Sequence, residues 1–83
     1  MFQAKIIVSL KQSILDPQGS VVAKSLQSMD FNVSSVRIGK YMELVVQAEN
    51  ETEALQKVRQ MCEKLLANTV TEEYDIQLQR VEG

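Results

Sequence analysis

The first ten residues alternate between apolar and polar side chains, and this alternation constrains the fold more than any other feature of the chain. Five apolar residues occupy every second position: Phe2, Ala4, Ile6, Val8 and Leu10. A period of two predicts a β-strand with one buried face. Ile7 is the apolar exception on the other face. The rest of the chain must therefore supply a layer that covers one side of this strand.

Asp16 and Pro17 predict the start of a helix. An aspartate cap accepts a hydrogen bond from an unpaired backbone N–H, and proline at the first helical position removes only a donor that has no partner. The predicted buried stripe consists of Val22, Ala23, Leu26 and Met29. Gly19 lies in the first turn, where glycine lowers helix propensity by up to about 1 kcal/mol relative to alanine. Residues 30–32 are predicted to end the helix.

Residues 33–38 and 41–48 predict two strands, and Gly39 and Lys40 between them suit a type II′ turn. That register places the apolar residues of the first strand on the face opposite to those of the second. Either the turn has an odd length, for example through a bulge, or the sheet carries apolar residues on both faces. We favour the second account, in which the outer face holds Ile7, Val36, Ile38, Tyr41 and Val45. Such a face is typical of a dimer or docking surface.

A second helix and a last strand complete the chain. Asn50 and Glu53 resemble a capping box. The predicted buried stripe of this helix consists of Ala54, Leu55, Val58, Met61, Cys62, Leu65 and Leu66. Alternation at Tyr74, Ile76 and Leu78 predicts the last strand. Residues 80–83 are predicted to form a frayed tail.

The element order is therefore βαββαβ, with residues 1–83 forming a single domain. This order predicts an α+β two-layer sandwich, in which two helices cover one face of a mostly antiparallel four-stranded sheet. The arrangement is related to the ferredoxin-like fold. Many unrelated functions occur on such folds, so the fold alone does not indicate an activity.

The composition of the 83 residues narrows the function classes. A net charge of −2 argues against nucleic-acid partners, because phosphate neutralisation needs an excess of lysine and arginine. One cysteine fits a reducing compartment. The amino terminus lacks the charged region of a signal peptide, and no apolar run approaches the ~18 residues that span a bilayer. The sequence predicts a soluble cytoplasmic protein without a membrane partner.

Candidate catalytic groups are few. The chain has no histidine to activate Cys62, which lies within the predicted apolar stripe, so we interpret this cysteine as a core residue. Acidic residues cluster at 49–53 and 72–75, but their positions at a helix start and before a strand favour solvated charge over a metal site. Tyr41 alone could stack on RNA bases, where several aromatic residues are needed. We predict no catalytic, cofactor-binding or metal-binding residue on this chain.

Arg37 and Lys40 leave two interpretations open. They flank the predicted turn in an acidic protein, where they either keep an exposed turn soluble or present two cations to a partner.

Three segments resemble one protein family: residues 15–19 (LDPQG), 36–44 (VRIGKYMEL) and 61–68 (MCEKLLAN). Together they are similar to PurS, the small subunit of formylglycinamide ribonucleotide amidotransferase, and the resemblance covers almost the whole chain. Thr69 departs from the pattern, since proline is expected after the asparagine at 68.

The resemblance implies a non-catalytic subunit of a ligase in purine biosynthesis. In that enzyme a glutaminase subunit releases ammonia, and a synthetase subunit carries ATP and magnesium. PurS-like chains are expected to form homodimers or dimers of dimers and to bridge the two subunits. No cofactor is then expected on this chain, and Arg37, Lys40 and Tyr41 become the predicted partner interface.

A regulatory βαββαβ domain that binds a small ligand is the alternative. Its site requires a loop whose backbone N–H groups receive a carboxylate, usually a glycine-rich loop. Gly19 and Gly39 each stand alone, so this interpretation ranks second.

Overall fold

A three-stranded antiparallel sheet forms the centre of the protein. The computed structural model describes residues 1–81. The strands are β1 (Phe2–Leu10), β2 (Lys40–Val46) and β3 (Glu72–Arg80), in the order β2-β1-β3. Along β1, Phe2 pairs with Val46 on one side and with Arg80 on the other. The alternating pattern of the first ten residues is thus confirmed as the central strand.

Both predicted helix starts are confirmed. Helix α1 spans Pro17–Ser28, and the Asp16 carboxylate accepts a hydrogen bond from the Gly19 N–H at 2.9 Å. Helix α2 spans Glu51–Met61, and the Asn50 side chain accepts one from the Glu53 N–H at 2.9 Å. The α1 exit is marked by Asp30, whose φ of 68° is left-handed.

A π-helical turn, Cys62–Leu66, continues α2. It ends where the Ala67 N–H donates to the Cys62 carbonyl at 3.0 Å. Because a π turn is wider than an α turn, the side chains beyond Cys62 leave the predicted helical spacing. Leu65, predicted to be buried, is 83% exposed, and Ala67 is buried instead.

The core lies between α2 and one face of the sheet. Its buried members are Phe2, Ala4, Ile6, Val8, Val46, Ala54, Val58, Cys62 and Ala67. Ile6 and Val58 are fully buried, and burying a side chain of this size contributes about 1.5–3 kcal/mol. The prediction that Cys62 is a core residue is confirmed.

The predicted α+β class, with two helices and an antiparallel sheet, is confirmed, but the fourth strand is not present in residues 1–81. Segment 33–38 has no strand pairing, and Lys40 already belongs to β2. A type II′ turn needs a positive φ at Gly39, and no glycine among the described residues has one. Gly39 instead passes so close to β1 that an added Cβ would lie 2.5 Å from the Val8 carbonyl oxygen. The predicted hairpin is therefore wrong.

Helix α1 does not share the face that α2 covers. Of its residues only Gly19 and Ala23 are buried, while Val21 and Met29 are each 64% exposed. The predicted stripe is thus correct at Ala23 and wrong at Val22 and Met29, which are exposed. We call residues 17–31 the α1 arm.

The α1 arm makes the protein long and thin. Its extents are 51 × 28 × 14 Å, and its radius of gyration is 16.4 Å. A compact domain of this length has a radius of about 12 Å. Within residues 1–81, neither helix combines the length and the apolar character needed to cross a membrane. The predicted frayed tail is wrong at Arg80. This residue ends β3, and its guanidinium lies 5.4 Å from the centre of the Phe2 ring. Residues 82 and 83 of the predicted tail lie outside the described chain.

Candidate partner-binding surfaces

Asp16 joins the α1 arm to the segment that precedes β2. Its carboxylate is buried and accepts two backbone hydrogen bonds, from the Gly19 N–H at 2.9 Å and from the Ile38 N–H at 2.7 Å. These bonds, first that from Ile38 and then that from Gly19, hold the pKa of the Asp16 carboxyl below its usual range. Asp16 therefore acts as a helix cap and as a link between two parts of the chain.

Gly19 permits this junction because it has no side chain. A Cβ at this position would overlap the Val36 carbonyl oxygen and would lie 2.9 Å from the Asp16 carboxylate. The segment before β2 thus crosses directly over the first turn of α1. Glycine lowers the helix propensity at this position, but its missing side chain permits the close approach of the two backbone segments.

Arg37 secures the same junction from the other side. Its guanidinium donates to three backbone carbonyls of the β1–α1 connection, those of Leu10 at 3.2 Å, Lys11 at 2.9 Å and Ile14 at 3.1 Å. The planar fork of arginine suits several acceptors at once. The side chain is thus engaged within the chain, which neither of the two sequence-based interpretations anticipated.

Lys40 and Tyr41 are the other two predicted interface residues, and the structure separates them. They are successive residues of β2, so their side chains point to opposite faces of the sheet. The Lys40 ammonium lies 3.6 Å from the Glu72 carboxylate, and the Tyr41 hydroxyl donates to Glu43 at 2.9 Å. Desolvation and the bond to Glu43 raise the pKa of Tyr41. Their role in partner binding stays a prediction. The structure does not combine these two residues with Arg37 at the tip of one hairpin.

The sheet face opposite to α2 is uncovered by any other described element, and we call it the open face. It consists of the odd-numbered strand residues: Gln3, Lys5, Ile7, Ser9, Tyr41, Glu43, Val45, Glu73, Asp75, Gln77 and Gln79. Ile7, Tyr41 and Val45 are 46%, 56% and 57% exposed. The expectation of apolar residues on both faces is confirmed for these three. It is wrong for Val36 and Ile38, which lie outside the sheet.

The α1 arm exposes a second apolar surface. Pro17, Val21, Val22 and Ile38 line a shallow depression of about 430 Å³ together with Gln18. Further along the arm, Met29 and Phe31 are also exposed. A helix of this length is only marginally stable without a packing partner, and the described chain supplies little packing.

A polar cleft of about 370 Å³ lies between the β1–α1 connection, α1 and segment 34–37. A regulatory domain would bind its carboxylate ligand through free backbone N–H groups. At Gly19, however, the N–H already donates to Asp16. The Gly19 N–H is therefore not free to receive a carboxylate, which counts against the regulatory interpretation at this glycine.

The chemistry available to the described residues is limited. Burial, and secondarily Glu63, raise the pKa of the Cys62 thiol, which keeps it protonated at neutral pH. Among residues 1–81, acidic and thiol groups do not gather into a set of three that could hold a metal ion. Glu72 is engaged with Lys40 and with the Asn68 N–H.

Sequence reasoning missed the second hydrogen bond of Asp16 and the steric role of Gly19. Asp-Pro identified the cap, but its bond to Ile38 spans 22 residues, and no local pattern indicates it. A glycine within the first helical turn was the one weak signal in the sequence that another backbone segment passes close to α1 at this position.

Together these features define a small α+β protein of one helix on a three-stranded sheet, with a projecting helical arm and two uncovered apolar surfaces. Residues 3–80 match the family PurS, described as phosphoribosylformylglycinamidine (FGAM) synthase. The chain belongs to the PurS family.

Individual relatives agree with this assignment. The chain is 52% identical to the phosphoribosylformylglycinamidine synthase subunit PurS of Bacillus subtilis, over 98% of this chain and 96% of the relative. It is similar to the crystal structure of Methanocaldococcus jannaschii PurS, a subunit of formylglycinamide ribonucleotide amidotransferase in the purine biosynthetic pathway. That comparison has a TM-score of 0.89 at 35% identity and covers 99% of this chain and all of the other.

A further similar chain belongs to the structure of PurLQS from Thermotoga maritima. It has a TM-score of 0.85 at 32% identity, over 95% of this chain and 99% of that one. The function indicated by the family is that of a subunit of FGAM synthase in purine biosynthesis.

Proposed function

We propose that this chain is the non-catalytic subunit of FGAM synthase that bridges the glutaminase and synthetase subunits and supports ammonia transfer between them. The complete enzyme converts formylglycinamide ribonucleotide into formylglycinamidine ribonucleotide with ATP and glutamine. The observation that carries the proposal is the match to PurS along residues 3–80, on a chain that leaves apolar residues of the α1 arm and of the open face exposed. The T. maritima relative occurs in a PurLQS structure, which supports the same assembly here.

The absence of a catalytic role is proposed from the chemistry of the side chains. Cys62, the only thiol, is fully buried, and its raised pKa opposes formation of a thiolate. The chain contains no histidine that could serve as a general base near neutral pH. The proposal also includes ATP and magnesium on the synthetase subunit and a cytoplasmic location of the assembly.

Self-association is proposed to involve the α1 arm, giving a homodimer or a dimer of dimers. The arm exposes Val21, Val22, Met29 and Phe31, and it projects from the sheet. Packing this surface against a second copy removes it from water and stabilises a helix that is marginal alone.

The predicted interface residues Arg37, Lys40 and Tyr41 divide into two roles in this proposal. Lys40 and Tyr41 have exposed side chains that contact the synthetase or glutaminase subunit directly. Arg37 holds the β1–α1 connection in place beside them through its three carbonyl contacts. Tyrosine is enriched among the residues that dominate interface energies, which supports a direct contact at Tyr41.

Reconstitution with purified glutaminase and synthetase subunits tests this function. We expect no turnover from the isolated chain, and a larger gain in glutamine-driven than in ammonia-driven synthesis when the chain is added. The asymmetry is expected because free ammonia reaches the synthetase from solution, whereas glutamine-derived ammonia needs the two subunits to be joined. If the two partner subunits use glutamine equally well without this chain, the bridging role is wrong.

A further inference from the structure

The open face of the sheet carries an uneven charge. Its charged residues are Lys5, Glu43, Glu73 and Asp75, so the face has three carboxylates and one ammonium group. Glu73 and Asp75 are exposed and lie on the outer strand β3. The net charge of this face is therefore −2, which equals the net charge of the whole chain.

Two of the apolar residues of the open face, Ile7 and Tyr41, lie among these charges. Ile7 pairs with Tyr41 on β2 and with Asp75 on β3, so the three form one row across the sheet. The Tyr41 hydroxyl is oriented by Glu43, which leaves the ring exposed in a defined position. An aromatic and an aliphatic residue within a polar rim match the anatomy of protein interfaces.

A second copy of the chain is disfavoured as the occupant of this face. Face-to-face packing around a two-fold axis would oppose two identical surfaces, each with a net charge of −2. Juxtaposed like charges are costly at an interface. Self-association also has another surface available, the α1 arm. Nucleic acid is disfavoured by the same sign of charge.

From the acidic charge of this face and its exposed apolar row we propose that the open face docks a basic surface of a partner subunit of the enzyme, with Ile7 and Tyr41 as the apolar contact and Glu73 and Asp75 beside them. The inference rests on the proposed function and adds the location and the charge of the contact. Lysine and arginine side chains of the partner neutralise the carboxylates, while the apolar row is removed from water.

The test uses the double variant Glu73→Lys/Asp75→Lys in the full chain. The matched control is Glu49→Lys/Glu51→Lys, which changes the net charge equally. Glu49 and Glu51 lie at the start of α2, near the end of the sheet opposite to Glu73. Circular dichroism checks the fold of both variants, and light scattering measures their self-association. Affinity for the purified partner subunits is measured at about 50 mM and about 300 mM salt, which changes the screening length severalfold.

At the lower salt concentration, we expect the open-face variant to raise the dissociation constant at least about tenfold, and the control to leave it within about twofold. The difference in dissociation constant between the two variants should be smaller at the higher salt concentration. The single variant Gln77→Glu, which places a fourth carboxylate opposite Lys5, should tighten binding.

Three results would overturn the inference. Unchanged partner affinity in the Glu73/Asp75 variant would show that the face does not dock the partner. Altered self-association of that variant with unchanged partner affinity would assign the face to a second copy. Failure of the unmodified chain to bind either partner subunit would overturn the proposed function and this inference together. Binding by the unmodified chain, with unchanged affinity in the variant, would overturn this inference alone.

Discussion

Gly19 is the residue at which steric contact and helix propensity make opposite predictions for a substitution with alanine. In the interior of a helix, alanine is favoured over glycine by about 1 kcal/mol. In this structure the added Cβ overlaps the Val36 carbonyl oxygen, a backbone atom that cannot rotate away, and approaches Asp16. The segment before β2 must then shift outward, which strains the Ile38–Asp16 hydrogen bond.

Inserting a methyl group into a well-packed site costs typically 1–3 kcal/mol. Subtracting a propensity gain of about 1 kcal/mol leaves roughly 0–2 kcal/mol. We expect a loss of about 1–2 kcal/mol in the free energy of unfolding, in the upper part of this range, because the overlapped Val36 atom belongs to the backbone. For a domain of this length, such a loss lowers the melting temperature by roughly 4–15 °C. Protein concentration must be fixed in the comparison, because self-association also raises the apparent stability.

Thermal and urea unfolding, followed by circular dichroism, measure the effect. Ser20→Ala is the matched control, since Ser20 is an exposed neighbour in the same helical turn and its replacement improves propensity without adding volume. We expect the control to be as stable as the unmodified chain or slightly more so. A Gly19→Ala variant as stable as the control would refute the argument that close backbone approach selects glycine here.

Cys62→Ser should destabilise the fold more than Cys62→Ala, by about 1–3 kcal/mol in urea unfolding, because serine buries a hydroxyl without an evident partner; equal stability of the two would contradict this. Arg37→Ala should lower the melting temperature clearly more than Lys40→Ala, because the Arg37 guanidinium bonds three backbone carbonyls. Equal shifts in melting temperature would indicate that Arg37 is only a solvated surface residue. Because the pKa of Asp16 is lowered in the folded state, its charged form contributes stability that is complete at neutral pH and is lost as the pH falls below about 4. Asp16→Asn should therefore show a flatter acid limb in stability measured against pH, and an unchanged limb would contradict this.

The Arg37 contacts change the interpretation of the predicted interface. The sequence presented Arg37 and Lys40 as two cations beside a turn, and a solvated pair and a partner contact were equally compatible with it. In the structure Arg37 is occupied by backbone carbonyls, while Lys40 has a loose pair with Glu72. Loss of Arg37 would therefore disturb the junction itself, so Lys40→Ala and substitutions on the open face are the cleaner probes of partner binding.

Local patterns in the sequence were sufficient for the elements that depend on near neighbours. The alternation from Phe2 to Leu10 predicted β1, and Asp16 and Asn50 predicted both helix starts. These features could be predicted because strand periodicity and capping involve residues within a few positions of one another. The family was also recognisable, since residues 15–19, 36–44 and 61–68 carry its pattern in order.

Only the tertiary structure decided how these elements combine. Segment 33–38 has the composition of a strand, but pairing depends on a free edge in reach, and its Ile38 N–H bonds Asp16 instead. The π turn moved Leu65 into solvent because a one-residue widening alters every later side-chain direction. The projection of the α1 arm likewise depends on contacts between residues far apart in the sequence, from Gly19 to Val36 and from Arg37 to Leu10. Such long-range contacts leave no periodic trace in the sequence, whereas the local ones do.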